Sequence, residues 1–201
     1  MKKKIALLMT IIALLAIAVP GSLAYFTAED TVHNVITSDA VDIQLEEYQQ
    51  VGDELVPYPG EEIAVMPGTT VSKIPMVKNL EAESYIRAKI QIIVKDANNQ
   101  DMKLSQKTLD SIITIVMNAE DWERKDGDTT WWYYKSAVDT GESTEALFRE
   151  VVFSGPNMTN EYQNCKVEII VTAQAVQTAH TGDSALEVPE KAWPVETQIE
   201  G

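Results

Sequence analysis

Alternation of apolar and polar side chains predicts that most of this chain forms β-strands. The most regular stretch is 85–95, where apolar residues fall at every second position, as expected of a strand that buries one face. Residues 165–176 and 41–46 show the same period of two. Turn pairs such as Asp126-Gly127 separate the apolar stretches, and we expect about seven to nine strands with short connections.

The stretch at 105–118 has a different period. Its apolar residues occupy positions i, i+3, i+4 and i+7, namely Leu109, Ile112, Ile113 and Val116. This spacing predicts an amphipathic helix of about three turns, with Ser105 as its N-cap. The predicted fold class is therefore mainly β, an antiparallel β-sandwich or jelly roll with one inserted amphipathic helix.

The first 24 residues predict a secretory signal peptide that forms a helix ahead of the β domain. Lysines at 2–4 precede an apolar run at 5–19, and small side chains follow at Ser22 and Ala24. This is the three-part layout of a signal peptide, and it predicts cleavage before Tyr25 or one residue later. The apolar run has fifteen residues, fewer than the roughly 20 that a membrane-spanning helix needs. An uncleaved membrane anchor is the alternative.

Two further segments complete the predicted organisation. Residues 25–177 contain the strand patterns and form the β-sandwich domain. Residues 178–201 have weak patterning that includes Gly182 and Pro189, which predicts a flexible C-terminal tail with Trp193 as its candidate for docking. No second apolar run of comparable length follows the first, so membrane contact is expected only through the uncleaved signal segment.

Composition narrows the classes of function. The chain has 16 basic and 31 acidic residues and a net charge of −15. Removal of residues 1–24 takes away three lysines and makes the charge −18. Such a surface repels phosphate backbones, so nucleic-acid binding is not expected. Cys165 is the single cysteine, so no intrachain disulfide can form, and we expect a small buried side chain here and not a reactive thiol.

No set of residues predicts catalysis. Zinc hydrolysis by histidine ligands needs two histidines one helical turn apart and a glutamate base, but the chain contains only His33 and His180. Asp126 and Asp128 resemble the start of a calcium loop, but the remaining oxygen ligands are missing, which favours a hairpin turn. Adjacent acidic residues are typical of a solvated acidic surface. We expect no catalytic residue, no metal site and no cofactor.

Four consecutive aromatic residues are the candidate contact surface: Trp131, Trp132, Tyr133 and Tyr134. On a strand they alternate, with Trp131 and Tyr133 on one face and the other two on the opposite face. One pair is then expected in the core, and the other is at most half exposed. The sequence is consistent with two roles for these aromatic residues: packing within the sheet, or contact with a carbohydrate or protein ligand.

Several segments resemble the TasA and camelysin-type exported proteins. They are residues 21–27, 35–45, 67–79, 131–135, 146–148 and 167–176. The resemblance implies an atypical signal peptide, removed by a dedicated signal peptidase, and a jelly-roll domain that assembles into extracellular biofilm fibres. In such fibres the N-terminal segment of one subunit completes the sheet of its neighbour. Camelysins are described as cell-surface metalloproteases, an activity that the histidine pattern does not support.

These observations lead to the hypothesis of a secreted or cell-surface structural protein of the biofilm matrix. Its expected partners are a signal peptidase and other copies or related matrix subunits. Phe26, Val32, Val35 and Ile36 are the predicted donor residues for strand addition, because the unpaired backbone groups of a sheet edge can template another strand. Pairing with its own sheet and pairing with a neighbour's sheet are both open for this segment. The alternatives are a surface carbohydrate- or protein-binding module and, third, a metallopeptidase.

Overall fold

The computed structural model describes residues 41–59, 67–162, 164–179 and 182–194, together with the backbone of three short strands at 26–29, 34–36 and 63–65. The predicted signal peptide and its cleavage site, residues 1–25, lie outside the described residues, and so do Val32 and both histidines. The described residues form thirteen β-strands, one α-helix and two short 3₁₀ helices.

The strands follow one another closely along the chain. They are β1 (Phe26–Glu29), β2 (Asn34–Ile36), β3 (Ile43–Val51), β4 (Glu54–Pro57), β5 (Ile63–Val65), β6 (Thr70–Ser72), β7 (Ile74–Asn79), β8 (Ser84–Lys95), β9 (Ile113–Met117), β10 (Trp122–Glu123), β11 (Trp132–Tyr134), β12 (Phe148–Phe153) and β13 (Lys166–Gln177). The helix α1 spans Gln106–Ile112, and the 3₁₀ helices span Asn160–Tyr162 and Glu190–Ala192.

Within the described residues the strands form three sheets. The main sheet has the order β10-β11-β8-β13-β1-β5, with β2 also paired to β13. The second sheet has the order β6-β12-β9, and the third has the order β4-β3-β7. Pairing is antiparallel except for β1 and β2, which run parallel to β13. The prediction of a mainly β fold with antiparallel sheets is confirmed.

β8 and β13 form the central pair of the main sheet. Their register runs without a break through twelve antiparallel pairs, from Ser84 opposite Gln177 to Lys95 opposite Lys166. Both strands alternate apolar and polar residues, and one apolar set from each is buried in the core (Ile86, Ala88, Val94, Val167, Ile169, Val171, Ala173 and Ala175). The two most regular strand patterns of the sequence therefore pair with each other.

One hydrophobic core joins the three sheets. Its largest buried side chains include Trp122 from the main sheet and Phe148 and Phe153 from the second sheet. Leu45 and Val77 contribute from the third sheet. Because each sheet buries an apolar face against the others, we expect the three to fold as one cooperative unit.

The helix is shorter than predicted. It begins after Ser105, whose hydroxyl accepts the Thr108 N–H as the expected N-cap, but it ends at Ile112 after seven residues. The predicted continuation through Val116 is wrong, because Ile113 begins strand β9. Four of the five residues of β9 are β-branched, which favours a pleated strand, and β12 supplies the pairing partner. Among the described residues, no helix has the length and apolar character needed to cross a membrane.

The segment at 182–194, here called the C-terminal segment, packs on the main sheet. Ala185, Val188 and Trp193 are buried there against a second hydrophobic cluster that includes Tyr85 and Tyr133 of the sheet. The packed part of the chain therefore continues past residue 177, where the sequence placed the end of the domain. Trp193 docks, and the residues around it dock with it, because they bring further apolar side chains to the same cluster.

We expect Phe148→Ala to lower the free energy of unfolding by about 3–5 kcal/mol, because this fully buried ring lies in the shared core and its truncation leaves a cavity. The matched control is Leu80→Ala, which removes a side chain that is 39% exposed and should change stability by about 0.5 kcal/mol or less. Urea unfolding followed by tryptophan fluorescence measures both. Equal effects of the two substitutions would contradict a single shared core.

Candidate functional site

The first candidate site is the edge of β13 that faces away from β8. β1 lies along the beginning of this edge, with Thr27 opposite Lys166, and β2 lies along its end, with Ile36 opposite Gln174. Each strand contributes three register pairs and runs parallel to β13. Residues 26–36, here called the N-terminal segment, thus place two described strands along one edge of a central strand.

β1 and β2 lie along this edge in nearly the same register. Nine positions separate Thr27 from Ile36, and eight separate their partners Lys166 and Gln174. The registers of β1 and β2 against β13 therefore differ by one residue. β1 also pairs with β5 on its other side. Backbone pairing, which many different side-chain sequences can supply, holds the segment in the sheet.

Three of the four predicted donor residues lie in these strands. Phe26 belongs to β1, and Val35 and Ile36 belong to β2, while Val32 lies outside the described residues. In this single chain the pairing is intramolecular, one of the two arrangements that the sequence left open. Pairing between two copies would use the same backbone groups of the same strands.

The second candidate site surrounds Arg87. This residue lies on β8 opposite Gln174 of β13 and Tyr133 of β11, and only 2% of it is exposed. Its Nε donates to Gln174 Oε1 at 2.9 Å, and its Nη1 donates to Tyr133 Oη at 3.3 Å and to Glu190 Oε2 at 2.8 Å. Three side-chain acceptors therefore compensate a positive charge that has been withdrawn from water.

Two indole rings enclose the same guanidinium group. Its central carbon lies 4.3 Å from the ring centroid of Trp131 and 4.5 Å from that of Trp193, within the range of a cation–π interaction. Because Trp193 comes from the C-terminal segment, Arg87 fastens this segment to the sheet. Gln174 reinforces the attachment, since its Nε2 donates to the Pro194 carbonyl at 3.1 Å.

A cavity of about 360 Å³ opens beside Arg87 and is lined by both indole rings and by the residues around Glu190. The Trp193 Nε1–H is buried without a hydrogen-bond partner among the described residues, which costs about 1–3 kcal/mol. Lys89 Nζ also lies 5.2 Å from the Trp131 centroid. A sugar ring that stacked on Trp131 would therefore have to compete with two cationic side chains of the protein itself.

The four consecutive aromatic residues alternate between faces as predicted. Trp131 and Tyr133 are buried in the second cluster, whereas Trp132 and Tyr134 are half-buried against the core. Tyr134 packs on Trp122 with 5.1 Å between the ring centroids. Intramolecular packing thus engages all four rings, and the run connects the main sheet to both hydrophobic clusters.

Asp128 fixes the turn that precedes the aromatic strand. Its Oδ1 accepts the N–H groups of Thr130 and Trp131 at 2.7 and 3.1 Å, and its Oδ2 accepts the Tyr133 hydroxyl at 2.9 Å. Burial opposes ionisation, but these hydrogen bonds outweigh it and hold the pKa of Asp128 below its ordinary value. The turn joins the antiparallel strands β10 and β11, which confirms the predicted hairpin.

Other ionisable groups serve the fold. Cys165 is buried, as expected, and burial raises the pKa of its thiol, with Asp96 and Glu161 acting in the same direction. Two buried carboxylates form ion pairs with lysines, namely Glu47 with Lys73 and Glu168 with Lys95. Among the residues that the structure describes, no three or more His, Cys, Asp or Glu side chains are grouped so that they could hold a metal ion.

Sequence reasoning missed Arg87 and Gln174 as site residues. Both occupy polar positions in alternating strands, which normally face water. The available signal was Trp193, an isolated large aromatic residue in a polar, proline-containing segment. Such a residue needs an apolar surface on which to pack. A long strand with aromatic residues beside it could have been predicted to supply that surface.

The two sites meet at Gln174. This residue is the register partner of Ile36 in β2, and its side chain also forms hydrogen bonds with Arg87 and with the Pro194 carbonyl.

Comparisons of the chain with protein-family models, with curated proteins and with solved structures return no match. The function is therefore inferred from the geometry of these two sites.

Arg87→Met should lower the free energy of unfolding by about 2–4 kcal/mol, because it removes three hydrogen bonds and the cation between Trp131 and Trp193. It should also release the C-terminal segment to limited proteolysis. Glu190→Gln is the matched control, since it changes an acceptor whose side chain is 73% exposed and should cost less than about 1 kcal/mol. Equal release of the segment by both variants would show that Arg87 does not fasten it.

When the pH falls from neutral to acid, the free energy of unfolding should decrease more for the wild-type protein than for the Asp128→Asn variant. The pKa of Asp128 is lowered in the folded state, so the folded protein binds fewer protons than the unfolded chain and the ionised carboxylate stabilises the fold at neutral pH. This contribution disappears as the pH falls through the ordinary carboxyl pKa of about 4 and below. Urea midpoints near neutral pH and in acid measure it, and a wild-type advantage that persists in acid would contradict this role.

Proposed function

We propose that the chain is a secreted or cell-surface structural protein, a subunit of an extracellular matrix or fibre. The N-terminal segment left by signal-peptide cleavage adds as a strand to the sheet of a neighbouring copy. The observation that carries this proposal is the position of β1 and β2 along one edge of β13, where backbone pairing holds them. A strand supplied by the first residues of a chain can leave its own sheet and enter another without unfolding the rest.

β13 offers a long edge for such pairing. It has twelve residues and spans roughly 40 Å, and β8 supports it along its whole opposite edge. Without β1 and β2, the backbone groups on this edge would lack their strand partners, and open edges of this kind associate with other chains. The edge therefore favours an occupant from the same chain or from a neighbour.

Exchange between copies needs no new type of contact. The same register pairs can form within one chain and between two chains, so protein concentration and chain connection decide between them. When each copy passes its segment to the next, the contact is head to tail. Contacts of this kind generate an open filament if they do not close into a ring, and an open filament is the form that a matrix fibre requires.

Cleavage of the signal peptide couples export to assembly in this proposal. The predicted cut before Tyr25 lies one residue ahead of Phe26, where β1 begins. While the leader is attached, its apolar run tethers the donor strand to the membrane. The cut releases the strand on the outer side. The signal peptidase is therefore the processing partner, and no cofactor or nucleic acid takes part.

We interpret the three sheets around a common core as a jelly-roll sandwich of the type expected from the resemblance to TasA and camelysin-type proteins.

The net charge of the chain is also consistent with the proposed function. At −15 for the whole sequence, copies repel one another at a distance, which keeps them soluble before assembly. Assembly then requires that backbone pairing at the β13 edge outweigh this repulsion, which salt weakens.

The binding-module alternative has less support. Stacking of a sugar on Trp131 would displace Arg87, and stacking on Trp132 would compete with Arg124, which lies 4.8 Å from that ring centroid. A metallopeptidase would need a group of ligands that the described residues do not bring together. Strand addition uses only the edge and the segment already present.

Removal of residues 25–36 should abolish fibre formation by the purified mature chain, because it removes the donor strands β1 and β2. Electron microscopy of the two preparations under identical conditions measures the effect. The matched control removes residues 195–201 at the other end of the chain and should leave the fibres unchanged.

A synthetic peptide of residues 25–36 provides a second readout of the same deletion. It should bind the truncated protein with a stoichiometry of about one to one, since it refills the vacant edge of β13. This result would also show that the truncated protein has kept its sheet. Fibres that form equally well without residues 25–36 would rule out strand addition through this segment.

A further inference from the structure

The cavity beside Arg87 is lined by hydrogen-bond donors that the protein itself leaves unused. A guanidinium group carries five N–H groups in one plane, one on Nε and two on each Nη nitrogen. In Arg87, Nε donates to Gln174, and Nη1 donates to Tyr133 and to Glu190. These bonds leave the two N–H groups of Nη2 without a hydrogen-bond partner among the described residues.

Trp193 lines the same cavity and adds a second unused donor. Only 3% of this residue is exposed, and its Nε1–H has no partner among the described residues. Buried N–H groups in native proteins nearly always have an acceptor, so this one indicates that an acceptor from outside enters the cavity. The volume of about 360 Å³ falls within the range of roughly 300–1,000 Å³ that is typical of small-molecule sites.

The charges and rings around the cavity favour a carboxylate as the acceptor. Arg87 and Lys191 line the cavity together with one carboxylate, that of Glu190, so its positive charges outnumber its negative one. The indole faces of Trp131 and Trp193 carry partial negative charge, which opposes the oxygens that a phosphate or sulfate presents on every side. A carboxylate has both oxygens at one end, matches the guanidinium fork, and can turn an apolar body towards the rings.

We propose that this cavity binds the carboxylate group of a small organic acid. Its oxygens accept hydrogen bonds from Nη2 of Arg87 and from Nε1 of Trp193. Because the guanidinium N–H groups lie in the plane of the group, the carboxylate approaches its edge, and neither indole ring is displaced. The ligand therefore differs from a sugar stacked on Trp131, which would take the place of Arg87.

The bound carboxylate strengthens the attachment of the C-terminal segment. It joins Arg87 of β8 to Trp193 of the segment, so it binds only while the segment is docked. A ligand of this kind lowers the population of the undocked state by the factor 1 + [L]/Kd. The binding requires neither fibres nor exchange of the N-terminal segment, so its failure and the failure of the proposed function are distinguishable.

Nuclear magnetic resonance of the indole N–H groups tests the site in the purified protein. The chain has four tryptophans, and Trp193→Phe identifies the Trp193 signal by its loss. Titration with sodium acetate at neutral pH and constant ionic strength should shift this signal until it saturates. The internal control is Trp122, whose Nε1–H already donates to the Glu145 carbonyl at 3.1 Å and should not shift.

Two other solutes test whether the site selects a carboxylate. Acetamide lacks the charge, and sulfate lacks an apolar body, so each should bind about tenfold more weakly than acetate or worse. A Trp193 signal that does not move with acetate, or that moves equally with acetamide or sulfate, would overturn the proposal.

Glu196→Gln tests whether the chain's own carboxylate competes for the site, because Glu196 is the first acidic residue after Pro194. The variant should leave the dissociation constant of acetate unchanged. A shift that appears in this variant but not in the wild type would refute binding of an external ligand by the intact chain.

Limited proteolysis of the C-terminal segment gives an independent readout. Acetate at ten times its dissociation constant should slow cleavage about tenfold, because cleavage follows undocking. Trp193→Phe keeps an aromatic ring but removes the donor, and it should raise the dissociation constant about tenfold and so lose most of this protection. The matched control, Trp132→Phe, changes an indole that does not line this cavity and should keep the protection. Cleavage that acetate does not slow in the wild type would contradict the proposal.

Discussion

The unbroken antiparallel ladder between β8 and β13 is the interaction on which the rest of this structure depends. Its twelve register pairs use the full length of both strands, and its inner side chains lie in the core that all three sheets share. Its other face presents Arg87 and Gln174, which hold the C-terminal segment. The free edge of β13 receives β1 and β2. A shift of this register by one residue would turn the inner side chains outward and remove both attachments.

Segments from both parts of the chain contact β13, and the backbone pairing of β1 and β2 with its edge supports the proposed function. The C-terminal segment depends on particular side chains, above all Trp193 against the guanidinium of Arg87. β1 and β2 pair through their backbones with one edge of β13. Backbone pairing accepts an equivalent strand from another copy, whereas a buried indole must be brought into a specific, already crowded site. We therefore assign the proposed exchange to the N-terminal segment.

Local patterns predicted the longest strands of this fold but not their long-range partners. Residues 85–95 and 165–176 keep a period of two for long enough to exclude a helix, yet nothing local shows that they pair with each other. The helix was predicted too long because Ile113 and Val116 fit a helical spacing by position, while β12 and their branched side chains favour a strand. Arg87 has the spacing of an exposed residue, and only the complete fold brings aromatic rings from distant parts of the chain around it.

Disulfide trapping between copies is the most direct measurement of whether the β13 edge accepts a neighbour's N-terminal segment. Val35 of β2 lies opposite Ala173 of β13, and adjacent strands bring such positions close enough for a disulfide. Val35→Cys protein and Ala173→Cys protein are mixed during assembly under mild oxidation, and the native Cys165 is buried. We predict a covalent dimer that contains one copy of each variant. A control protein carries both cysteines, Val35→Cys and Ala173→Cys, in one chain. If this control forms its disulfide within the chain but the two mixed single variants stay unlinked, the proposed exchange is contradicted.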